Sequence, residues 1–151
     1  MMLPRLRSFA RFPASEQWFA LRAVWTLALV RLALRVLPFG KLRDLVELMA
    51  RKPTAAPDRA YACAVRRAVD RAERSIPGSA CLAQALTAEL LLRRAGQPAC
   101  VSIGVAPDGK PLDAHAWVES AGILVTGDRA DLQKYRTLVV FSTDDTAGKL
   151  A

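Results

Sequence analysis

CLAQALTAELLLRRAGQPACVSIGV, residues 81–105, changes period in its middle, and that change decides the fold class. Its first fourteen residues are rich in Ala and Leu and end on Arg93-Arg94, and Gly96, two positions on, is a residue suited to closing a helix in the left-handed region. After Pro98 the pattern switches: Val101, Ile103 and Val105 alternate with smaller residues, which is a strand signal. Downstream, AHAWVE (114–119), ILVT (123–126) and TLVVF (137–141) read as three more strands, with PDGKP (107–111) as a turn. Upstream the signals are helical. SEQWFALRAVWTLALVRLALRVL (15–37) predicts one long helix with Ser15 as N-cap and Pro38 as its stop. A second helix is expected over 41–51. A third, amphipathic one is expected over 58–74, with Tyr61, Val65, Ala68, Val69 and Ala72 inward. Helices first and antiparallel strands later mean an α+β class.

The 151 residues are 52% hydrophobic, which excludes a disordered chain and fills one core. The net charge of +8 is uneven. Residues 1–52 hold 10 Lys/Arg against 3 Asp/Glu, and the other 99 hold 12 against 11. Together with the KPTAAP stretch (52–57), this divides the chain into a basic helical N-terminal region (1–52), a near-neutral domain (53–142) and a flexible tail (143–151). The helix over 15–37 is apolar nearly all round, yet Arg22, Arg31 and Arg35 interrupt it. The longest uncharged run, 23–30, falls well short of the roughly 20 apolar residues a membrane span needs. Packing on the domain or on a partner is the leading expectation for it, with peripheral membrane contact second. Three cysteines without a CxxC, one histidine and no convincing signal peptide argue against a zinc site and a disulfide framework, and for the cytoplasm. No nucleic-acid motif or aromatic stacking platform accompanies the arginines.

Cys81 opens a strong helix directly after Pro77-Gly78-Ser79-Ala80. Unpaired backbone N–H groups and the positive dipole end there activate a cysteine nucleophile and can hold an oxyanion. His115 is the only imidazole and hence the only candidate of that type for a base. Alternation puts His115, Trp117 and Glu119 on one face of their strand and Ala114, Ala116 and Val118 on the other. A third group must orient the imidazole. A hairpin turning at Ala121-Gly122 returns Asp128 beside the start of the histidine strand, and Asp131 and Asp113 are alternatives. Cysteine, histidine and aspartate then follow the papain-like chain order.

These residues resemble the transglutaminase-like cysteine peptidases of lasso-peptide biosynthesis. The likeness runs from about Ser79 to Asp128. It is densest at Cys81-Leu82, at Leu91-Leu92-Arg93-Arg94-x-Gly96 and at Ala114-His115-Ala116-Trp117-Val118-Glu119. The helical front around Pro38-Phe39 is also similar to stand-alone members. The resemblance implies a transglutaminase-like, papain-like core in which the nucleophile helix packs on an antiparallel sheet. By motif, Cys81 takes the nucleophile's place, His115 the base's and Asp128 the orienting acid's, with no cofactor or metal. It further implies removal of the leader from a ribosomally made precursor, a separate leader-binding protein, and an ATP-dependent macrolactam synthetase that uses the freed amine. Gln84 departs from the pattern, standing where many members carry a basic residue. Two other classes are compatible with the same residues. One is an acyl-transfer enzyme with this triad, related to transglutaminases or arylamine acetyltransferases. The other is a non-catalytic basic adaptor.

Overall fold

A computed structural model describes residues 14–50, 52–78, 80–107, 113–127 and 132–143. Four helices lead, α1 (Ala14–Val36), α2 (Phe39–Met49), α3 (Arg59–Ser75) and α4 (Cys81–Arg94), and four strands follow, β1 (Cys100–Val105), β2 (Ala114–Ser120), β3 (Ile123–Thr126) and β4 (Arg136–Ser142). The class is α+β, and the sheet is antiparallel in the order β3-β2-β1-β4. Helix α2 begins two residues earlier than the sequence reading expects. Pro38 both ends α1 and serves as the N-cap of α2, accepting the Leu42 N–H at 3.2 Å. A proline loses nothing there, since a cap position needs no N–H of its own.

Helix α4 is the centre of the molecule. Ala83 and residues 85–93 are buried, with α1 and α3 packed on it and the sheet against it. A helix enclosed in this way has no solvent stripe to keep polar, which is why its sequence is apolar nearly all round. Gly96 closes it as expected. At φ 71° it gives its N–H to Arg93 O, while Gln97 N–H reaches Leu92 O, both at 3.0 Å. Helix α3 starts on Asp58, whose Oδ1 accepts the N–H groups of Ala60 (2.8 Å) and Tyr61 (3.1 Å), and it buries Ala62, Val65, Ala68, Val69 and Ala72. Tyr61 itself is half-buried, edge-on to Phe19 of α1.

One core cluster runs through the helices and the sheet, joining Ala23, Leu27 and Val30 of α1 and Leu42 and Val46 of α2 to Leu86, Val101, Val118 and Val125. Within this apolar surround sits a fully buried carboxylate, Glu89. It accepts from Arg43 at 2.8 Å and Arg93 at 3.1 Å, and Arg93 also bonds Glu47 at 2.8 Å. The Arg43 guanidinium lies 4.2 Å over the Phe141 ring, so α2, α4 and β4 meet at one ion network. Buried ions persist when paired and hydrogen-bonded in this manner. Of the two arginines read as dipole partners at the end of α4, Arg94 is exposed and Arg93 belongs to this network.

Candidate active site

The β2–β3 hairpin sets one wall of the site. Its turn, Ala121-Gly122, has φ 49° and 72°, the mirror-image geometry that suits the twist of two-residue hairpins. Val118 pairs with Thr126, and Glu119 with Leu124. On the sheet's inner face Ala116 and Val118 are buried under the helices, as the alternation predicts. On the outer face His115 is half-buried, Trp117 is 7% exposed, and Glu119 is exposed.

Cys81 is the first residue of α4, and its Sγ lies 3.9 Å from the carbonyl oxygen of Ala114, the residue next to His115. The N–H groups of Ala83 and Gln84 turn back onto Ala80 O, so those of Cys81 and Leu82 stand at the open end of the helix. His115 pairs across the sheet with Gly104 of β1. A Cβ at Gly104 would stand 2.9 Å from Arg136 O and 3.2 Å from Trp117 Cη2. Glycine therefore lets the indole lie across the strand beside the imidazole, with ring centroids 6.3 Å apart and planes 19° from parallel. A second ring, Tyr135, stacks on His115 at 5.1 Å and 22°. The Tyr135 hydroxyl donates to the Asp113 carboxylate at 3.0 Å, and Lys134 Nζ stands 3.7 Å from the same group. Loss of solvent around the phenol, then the carboxylate bond, push the Tyr135 pKa above its ordinary value.

Of the three aspartates considered as the orienting acid, Asp128 and Asp131 lie outside the described residues. Asp113 is engaged with Tyr135 and Lys134. Gly127, just before Asp128, lies against the imidazole: its Cβ position is 3.4 Å from His115 Nε2. That nitrogen is buried and has no hydrogen-bond partner among the described residues. Tyr135, Gly104 and Gly127 escape sequence reading, because each matters only through a neighbour that the sheet pairing supplies. Among the described residues no three His, Cys, Asp or Glu side chains could hold a metal ion together.

A family model described as the Transglutaminase-like superfamily matches residues 26–140, well over half of the chain. The chain belongs to that superfamily. No curated protein and no solved structure matches it. Transglutaminase-like proteins are typically cysteine proteases or acyltransferases, two chemistries that share an acyl-enzyme thioester. The matched span holds Cys81, His115 and Asp128, and it begins within α1, so the C-terminal part of that helix and all of α2 fall inside the match.

Proposed function

We infer that this protein is a cysteine peptidase that removes the leader from a ribosomally made lasso-peptide precursor. The observation that supports the reading best is the meeting of the α4 N-terminus with the start of β2, Cys81 Sγ against Ala114 O beside the only histidine. In this reading His115 takes the Cys81 thiol proton and the sulfur attacks the carbonyl that joins leader to core. The tetrahedral oxyanion sits at the open N–H groups of α4. The C–N bond then breaks, His115 hands the proton to the departing core amine, and water hydrolyses the thioester to release the leader. Asp128 orients the imidazole from the Nε2 side, where Gly127 already lies. A separate leader-binding protein delivers the precursor, and an ATP-dependent synthetase closes the freed amine into a macrolactam.

The test is cleavage of precursor in the presence of the leader-binding protein, followed by mass spectrometry. Cys81→Ala abolishes the product, and undiminished cleavage by that variant rejects the nucleophile. A normally folded Asp128→Asn loses activity while Asp131→Asn keeps it; the reverse pattern moves the orienting role to Asp131. Because the superfamily also includes acyltransferases, the product itself discriminates: a free amine supports the peptidase, and a new amide supports acyl transfer.

A further inference from the structure

Only one side of α1 is used by the core. Ala20, Ala23, Leu27 and Val30 are buried, while on the opposite side Trp18, Leu21, Trp25, Leu29, Leu32 and Val36 remain exposed, the two indoles by 69% and 68%. At 100° per residue these six fall within about 80° of arc and run for about 27 Å along the helix. Helix α2 extends the surface with Leu45 and Met49, 40% and 44% exposed, which line an apolar groove of about 500 Å³ together with Leu29, Leu32 and Val36 of α1. Patches of this extent mark an interaction site.

We propose that this face seats the protein on an anionic lipid surface, with α1 lying in the plane of the headgroups. Three observations select that occupant. The stripe carries no hydrogen-bonding side chain except the indole N–H groups, whereas a protein interface of such size brings about one hydrogen bond per 100–200 Å². Indoles suit a boundary that is apolar on one side and wet on the other. Charge decides the rest. Arg22 and Arg35, both exposed, flank the stripe on opposite sides by helical phase. The only acid on α1, Glu16, is turned towards Arg71 at 4.0 Å. The sequence just before the helix adds Arg5, Arg7 and Arg11. A second copy docked here would bring the same arginines and no acid from α1 beyond the engaged Glu16, so self-association adds positive charge without pairing it. An anionic surface meets all of them favourably, as basic amphipathic helices do. Among the described residues no helix is long and apolar enough to cross a membrane, so the contact is peripheral.

The inference is independent of the peptidase reading, and its experiment needs no substrate. The full chain is mixed with vesicles of phosphatidylcholine plus phosphatidylglycerol, or of phosphatidylcholine alone, and floated through a density gradient. It rises with the anionic vesicles and much less with the neutral ones. Arg22→Gln with Arg35→Gln weakens binding roughly 30-fold, at about a fivefold loss per basic residue near such a surface. Trp25→Glu with Leu29→Glu removes it, and circular dichroism verifies that these exposed changes leave the fold intact. Failure of the wild type to float with anionic vesicles overturns the proposal, as does flotation unchanged by both pairs of substitutions. A dimer in sedimentation that Trp25→Glu dissociates, with no vesicle binding, assigns the face to a second copy instead.

Discussion

None of Cys63, Cys81 and Cys100 is in a disulfide and all three are partly buried, so iodoacetamide ranks them by chemistry more than by access. Cys81 has the helix N-terminus and the histidine strand beside it, and peptide mapping finds it alkylated first. Replacing His115 by Ala slows its labelling about tenfold or more and leaves Cys63 unchanged. Equal rates at all three sites disprove the pairing without any substrate. The rings around His115 give a second prediction. Tyr135→Ala removes the stack and the tether to Asp113 together, and kcat falls about 10²-fold, the scale on which misplaced catalytic groups lose rate. Tyr135→Phe keeps the stack and loses only the hydroxyl bond, so it retains most activity, with Asp113→Asn behaving alike. The sequence makes Cys81 and His115 visible because each is singular, one by its place at a helix start and the other by its number. Tyr135 carries no such mark: it reaches the imidazole because β4 returns along β1, a pairing that no local pattern encodes.

At the scale of elements, the signals were clearest where local chemistry and packing agree. Gly96 is required twice, once by its positive φ and once because a Cβ would stand 2.6 Å from Thr54 Oγ1. Gly96→Ala therefore destabilises by about 1–2 kcal/mol or more, read as a lowered urea midpoint with unchanged slope. Strands β1 and β3 match their sequence-expected limits, since alternation marks β1 and the turn at Ala121-Gly122 fixes the start of the apolar run of β3. The ion network was not legible, because Arg43 and Glu89 lie 46 residues apart and each reads as a surface charge. Arg43→Ala strands part of a buried carboxylate and costs about 3–5 kcal/mol, while Arg43→Met with Glu89→Leu costs less than the two single changes summed. Hydrogen bonding to Arg93, reinforced by the charges of Arg93 and Arg43, holds the Glu47 pKa below its ordinary value. Its contribution is therefore present above the unfolded carboxyl's pKa and is lost as pH falls through the lowered folded value. The difference in Tm between wild type and Glu47→Gln accordingly shrinks below about pH 4, the ordinary carboxylate range. A gap that widens in acid reverses the sign of this linkage.

Across the whole molecule, α1 shows why an all-apolar helix cannot be assigned from its sequence. Composition says that both faces avoid water, but only tertiary structure says which face the core takes and which is left for another surface. The core face is the more consequential for folding. Leu27 of α1 is fully buried in the same cluster as Val118 and Val125 of the sheet, so apolar contact continues across the linker-like stretch at 52–57. Removing the first two helices exposes α4, whose residues then lack partners along one side. A chain restricted to 53–151 is expected to be largely unfolded or aggregated, with helical circular dichroism well below its share. In the full chain, Leu27→Ala lowers stability by about 2–5 kcal/mol and moves the unfolding curves of helix and sheet together. Amide exchange reads this directly: protection in β2 and α1 falls by the same factor if the two share one cooperative unit. Loss confined to α1, with β2 protection untouched, means that the sheet and α4 fold alone and that the front helices are an accessory laid upon them.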